Sequence, residues 1–68
     1  MDKPTVDLAV EFKYESDGDP GAILIFDGDR EAWIPKSLLV DFEENYHQKG
    51  DMIEIEVYEW FAEKEELL

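Results

Sequence analysis

The sequence predicts a single α+β domain over residues 1–68: a small curved antiparallel sheet or partial barrel of about four strands, then one C-terminal helix. Residues 5–14 and 51–58 alternate apolar with polar side chains, which is the period of a half-buried strand. Residues 59–68 place apolar side chains on one helical stripe. Clusters of turn-forming residues separate these segments, so short connections are expected between the elements.

The first strand, over residues 5–14, is the clearest in the chain. One face is predicted to carry Val6, Leu8, Val10, Phe12 and Tyr14. Residues 15–21 then contain Gly, Pro, Asp and Ser, which favour a chain reversal.

A hairpin is predicted next, because residues 22–26 form a short apolar run that ends at Asp27-Gly28. Both central positions of a type I′ turn need positive φ, which Gly adopts freely and Asp tolerates. Residues 30–34 should return antiparallel to the first run. Pro35 lacks an N–H to donate, so pairing should stop there or lie at a sheet edge.

The middle of the chain leaves two alternatives open. Ser37 could cap a short helical turn over residues 38–40, or these residues could form a short strand that ends at Phe42. Residues 41–50 are predicted to form a polar loop that Phe42 and Tyr46 attach to the body of the domain.

The last strand and the helix complete the predicted fold. Ile53, Ile55 and Val57 should face inward, with Glu54, Glu56 and Tyr58 outward. The helical stripe is formed by Trp60, Phe61, Lys64, Leu67 and Leu68, with Glu63, Glu65 and Glu66 in water. About two turns of helix are unstable alone, so the helix should pack on the sheet.

Charge is the most informative feature of the composition. The chain has 19 acidic and 6 basic residues and a net charge of −13, which repels phosphate backbones and anionic membranes. Direct binding to nucleic acid or to membranes is therefore not expected. The same field attracts a basic partner, and nucleic-acid-binding proteins carry large basic grooves. The alternative is that the acidity only keeps the protein soluble or reflects a high-salt habitat.

Other classes of protein find little support. No apolar stretch approaches the roughly 20 residues that span a bilayer, and no signal segment is recognised, so a cytoplasmic location is expected. Without cysteine, disulfides and Cys-based zinc sites are excluded. Counted from Asp27, the Gly and Glu positions of a calcium loop hold Ala32 and Leu38, so a turn is favoured and no metal or cofactor is predicted.

Catalysis is not predicted either. His47 is the one histidine and is interpreted as an exposed loop residue, and no pattern links it to Ser16 or Ser37 as a catalytic group. Trp33, Tyr58 and Trp60 could form a stacking platform for single-stranded nucleic acid, but the basic groove is absent. These three aromatics are instead interpreted as core or as a protein-contact patch.

The carboxylates of the second half of the chain form the predicted partner-binding surface. Residues 41–66 contain ten acids and only two lysines, and outward Glu54 and Glu56 precede Glu59 and Glu63. Alternate strand residues lie ~6.6–6.8 Å apart, close to the ~6–7 Å between successive phosphates of one nucleic-acid strand. A solvated acidic face has the same spacing. The predicted contact residues are Asp41, Glu43, Glu44, Tyr46, Glu54, Glu56, Tyr58, Glu59 and Glu63.

Residues 22–68 also contain a set of short motifs: Asp-Gly at 27–28, Trp-Ile-Pro-Lys-Ser at 33–37 and Glu-Trp-Phe-Ala-Glu-Lys at 59–64. In these motifs the chain resembles a group of small, largely uncharacterised phage and prophage accessory proteins. The resemblance implies a phage origin and a strand-then-helix ending, and it carries no catalytic residues. The chain departs from the group in its 41–50 loop and at Tyr58, where proline is common. A structural interpretation of the motif makes Trp33 and Trp60 core anchors and Ser37 a cap.

Charge and resemblance together predict a non-enzymatic phage inhibitor that works in the host cytoplasm. It would bind the basic nucleic-acid-binding surface of a host defence protein, such as a CRISPR effector or a nuclease, as a nucleic-acid mimic. The alternative is an accessory module of a phage replication or assembly complex that uses residues 33–37 as its contact. The sequence leaves the oligomeric state open.

Overall fold

A computed structural model describes residues 3–18 and 21–67. Its elements are β1 (Thr5–Glu15), β2 (Ala22–Phe26), β3 (Glu31–Pro35), a 3-10 turn (Lys36–Leu38), β4 (Leu39–Val40), β5 (Met52–Tyr58) and α1 (Glu59–Lys64). The strands form one antiparallel sheet in the order β3-β2-β1-β5-β4. The predicted α+β class is confirmed, with five strands. Because β3 and β4 lie at opposite edges, the sheet is open and does not close into a barrel.

The two faces of the sheet have different environments. Successive strand residues point to opposite faces, so cross-strand pairs such as Val6–Val57 and Phe12–Ile25 share one face. We call this the core face, and α1 packs against it. We call the opposite side the open face. The buried core consists of Val10, Phe12, Ile23, Ile25, Ile34, Ile55, Val57, Phe61 and Ala62.

A β-bulge in β1 changes which residues face the core. Phe12 pairs with Ile25, but the next ladder pair is Tyr14 with Leu24, so Lys13 is an extra residue in β1. Beyond the bulge the alternation is shifted by one. The prediction that Tyr14 shares a face with Phe12 is therefore wrong, and Tyr14 lies on the open face, 56% exposed.

The β2–β3 hairpin is confirmed, but its turn differs from the prediction. Gly28 has a φ of 104°, whereas Asp27 is not in the positive-φ region, so the type I′ assignment is wrong. The Asp27 carboxylate instead accepts hydrogen bonds from the backbone N–H groups of Arg30 (2.9 Å) and Asp29 (2.8 Å). Both hydrogen bonds favour the charged carboxylate and lower the pKa of Asp27, and the bond from Arg30 has the larger effect.

Each alternative for residues 37–42 is partly correct. A 3-10 turn does form, but it begins at Lys36 and has no side-chain cap, so the prediction that Ser37 acts as a cap is wrong. A short strand follows and ends at Val40 rather than at Phe42.

The helix is shorter than predicted, and different residues face the sheet. α1 ends at Lys64. Beyond it, the Leu67 N–H donates a hydrogen bond of 2.8 Å to the Ala62 carbonyl, and Glu66 adopts the left-handed region at φ 57°, as is common after a helix end. Phe61 and Ala62 are buried and Leu67 packs on the core, while Leu68 lies outside the described residues. Trp60 is 49% exposed, because it turns away from the face that Phe61 and Ala62 present.

Neither tryptophan is a core anchor. Trp33 lies at an edge strand on the open face and is 51% exposed, and Trp60 is similarly exposed on α1. The structural interpretation of the shared motif is therefore wrong for Trp33, Trp60 and Ser37. The core positions of the motif are filled by Ile34, Phe61 and Ala62 instead.

Candidate functional site

A cleft of about 170 Å³ opens between β5 and the loop that follows β4. Four acidic residues line it, Asp41 and Glu43 on the loop and Glu54 and Glu56 on β5. Tyr46 lies at the cleft with its side chain 70% exposed. We call this site the acidic cleft; its other lining residues are Leu39, Val40, Phe42, His47 and Ile55. It brings five of the predicted contact residues together.

Aromatic packing attaches the loop to the sheet. Phe42 packs against the core, as predicted, but Tyr46 is too exposed to anchor the loop. His47 has that role: its ring centroid lies 5.3 Å from that of Phe42 and 5.6 Å from that of Phe12. The Tyr46 ring also meets the His47 ring edge to face, with centroids 5.2 Å apart. His47 is therefore a half-buried packing residue, and its interpretation as an exposed loop residue is wrong.

An ion pair supplies a second anchor. Lys36 Nζ lies 2.7 Å from a carboxylate oxygen of Glu15, and the two side chains are only 13% and 8% exposed. The Asn45 N–H donates to both oxygens of the same carboxylate, at 3.1 and 3.2 Å. Glu15 thereby joins β1 to the loop. Sequence reasoning missed this role, because Glu15 faces Lys36 only as a result of the bulge at Lys13.

The Glu15–Lys36 pair is expected to lower the free energy of unfolding when it is lost at high pH. The hydrogen bond with Glu15 raises the pKa of Lys36 above its ordinary value of 10.5. A raised pKa in the folded state means that the stabilisation is fully present below pH 10.5 and is lost as the pH rises through the folded value. We expect wild type to melt at a higher temperature than Glu15→Gln at neutral pH, and the difference to disappear in strong alkali. A constant difference across that range would contradict this assignment.

The two β5 carboxylates project from the open face. Glu54 is exposed and lies opposite Ala9, whereas half-buried Glu56 lies directly opposite Asp7. Like charges placed directly opposite each other destabilise a sheet. Glu56 does accept a hydrogen bond from Thr5 Oγ1 at 2.6 Å. Within residues 3–18 and 21–67, no lysine or arginine forms an ion pair with Asp7, Glu54 or Glu56.

The remaining predicted contact residues lie outside the cleft. A Glu44 carboxylate oxygen lies 3.9 Å from Lys36 Nζ, and the Tyr58 ring has Lys3 Nζ 5.7 Å from its centroid. Glu59 and Glu63 belong to α1, which packs on the core face. They therefore do not extend the row that Glu54 and Glu56 form on the open face.

Within the part of the chain that the structure describes, no group of three His, Asp or Glu side chains is arranged to hold a metal ion. The single described helix is also too short to cross a membrane.

Comparisons of this chain with protein-family models, with curated proteins and with solved structures find no match.

Proposed function

We propose that this protein binds the basic nucleic-acid-binding surface of a partner protein through the acidic cleft and so acts as a nucleic-acid mimic. The observation that carries the proposal is the convergence of Asp41, Glu43, Glu54 and Glu56 on one cleft. Lysine and arginine side chains of the partner would pair with these carboxylates. Exposed Tyr46 would supply the aromatic contact that often dominates the binding energy of an interface.

The arrangement of the acids supports binding over solubility. Solubility needs net charge, which dispersed surface acids provide at only a modest loss of stability. Here Asp7 and Glu56 lie directly opposite each other, and the cleft adds the loop carboxylates to the same region. This repulsion lowers stability in the free protein. A cationic partner that neutralised these carboxylates would remove the repulsion, which gives a reason for their placement.

The proposed setting is a phage-infected cell. The resemblance of residues 22–68 to small phage proteins and the net charge of −13 support a phage-encoded inhibitor of a host defence protein, such as a CRISPR effector or a nuclease. The protein would then act in the host cytoplasm. Its function would be to occupy a basic groove, without catalysis or a cofactor.

The proposal is tested by affinity capture from bacterial host lysate at low and at high salt, followed by elution with DNA or RNA. We expect the captured protein to be a nucleic-acid-binding protein, to be lost at high salt because exposed charge pairs are screened, and to be displaced by nucleic acid. Capture that resists both salt and nucleic acid would contradict mimicry.

An accessory module of a phage replication or assembly complex is the second candidate, and exposed Trp33 favours it. Within residues 33–37, however, Lys36 is held by Glu15 and is not free to contact a partner. Trp33 and exposed Ser37 would form the contact. This alternative predicts capture that depends on Trp33 and is insensitive to salt.

A further inference from the structure

A second feature of the open face is an aromatic patch, which we define as Tyr14, Leu24, Phe26 and Trp33. Leu24 pairs with Tyr14 on β1 and with Trp33 on β3, so the two rings flank it. They meet edge to face, with ring centroids 6.1 Å apart. Both rings remain about half exposed. Tyrosine and tryptophan are enriched at protein interfaces relative to the rest of the surface.

Acidic residues outnumber basic ones beside the patch and indicate the charge of its partner: the cleft at Trp33 is lined by Glu31, Glu65 and Glu66 against Arg30 and Lys64, and Arg30 is paired with Glu66. Glu31 lies on the same side of β3 as Trp33 and pairs with Phe26 of β2. Glu11 of β1 pairs with Phe26 from the other side. The net charge of −13 opposes a second copy of this chain as the partner. The chemistry that fits an aromatic surface bordered by carboxylates is a cation with an apolar face.

The open face already holds cations in this way within its own chain. Lys13 Nζ lies 5.6 Å from the centroid of the Phe26 ring and 3.0 Å from a Glu11 carboxylate oxygen. Lys3 Nζ similarly lies over the Tyr58 ring. Trp33 and Glu31 repeat the combination of ring and carboxylate, but no cation of the described residues lies over Trp33. Indole is also the ring that attracts cations most strongly.

We infer that Tyr14 and Trp33 bind an arginine side chain of the partner protein, with Glu31 as its counter-ion. Arginine is selected over lysine because its guanidinium group is planar, weakly hydrated and able to stack on an aromatic ring. The inference adds a second contact, on β1 and β3, to the one on β5. It rests on the proposed function only for the basic character of the partner.

The test uses two short peptides of equal length, one alternating arginine with glycine and the other alternating lysine with glycine. Each is titrated into the whole chain while the indole N–H signals of Trp33 and Trp60 are followed by NMR. We expect the arginine peptide to shift the Trp33 signal and not the Trp60 signal. It should bind about fivefold more tightly than the lysine peptide.

The substitution Trp33→Ala should remove the preference for arginine. Trp60→Ala is the matched control, because it removes an equally exposed indole from α1 and should leave the preference unchanged. Equal affinity for the two peptides, or an unshifted Trp33 signal in the wild type, would overturn the inference whether or not the variants fold. Partner capture that resists salt would instead count against the acidic cleft and would leave the peptide result unchanged, so the two failures are distinguishable.

Discussion

The double substitution Glu54→Lys and Glu56→Lys is expected to weaken partner capture by roughly a hundredfold. Close charge pairs across interfaces contribute about 1.5 kcal/mol or more each, so two lost pairs amount to about 3 kcal/mol. Both carboxylates line the acidic cleft. The readout is the amount of partner retained in the low-salt capture, or the affinity once the partner is purified.

The fold should tolerate this double substitution. Glu54 is exposed, and lysine at position 56 would lie opposite Asp7, where it replaces repulsion by attraction. The matched control is Asp29→Lys with Glu63→Lys, which changes the net charge equally at two exposed positions outside the cleft. Reduced capture by both variants would show that only overall charge matters. Undiminished capture by the cleft variant would exclude the acidic cleft as the binding site.

The largest loss of stability is expected from Ile25→Ala. Ile25 is completely buried on β2, between Phe12 on β1 and Ala32 on β3. Truncation of a buried isoleucine destabilises by about 2–5 kcal/mol. A chain of this length has a free energy of unfolding of roughly 3–10 kcal/mol, so the variant should be partly or wholly unfolded.

Urea unfolding followed by circular dichroism measures this difference. Leu24→Ala is the control, because it removes a side chain of the same size from the neighbouring position on the open face. Its loss should be about 1 kcal/mol, since only half-buried surface is exposed. Similar losses for both variants would contradict the assignment of the two faces.

Local periodicity is sufficient to predict most strands of the sheet and the side chains that face its core. The bounds of β2 agree with the predicted run, and the inward positions Ile55 and Val57 of β5 follow from alternation. Periodicity could not reveal the bulge, because the extra residue is defined by pairing with β2 and not by the residue types in β1. It therefore assigned Tyr14 to the wrong face.

The candidate site was predictable in composition but not in shape. The density of acids identified Asp41, Glu43, Glu54 and Glu56 as members of one surface. Their convergence depends on the packing of Phe42 and His47 and on the Glu15 carboxylate that holds the loop. These are contacts between residues far apart in sequence, and composition contains no signal for them.

Because of the bulge, the single extra residue Lys13 changes the role of β1 along its length. Before it, β1 contributes Val10 and Phe12 to the core; after it, Tyr14 turns outward beside Trp33 and Glu15 turns toward Lys36. A homologue that lacked this one residue could keep the sheet and lose both the aromatic pair and the loop anchor. The length of β1, rather than overall sequence identity, would then distinguish relatives that share the aromatic pair and the anchored loop from relatives that share only the fold.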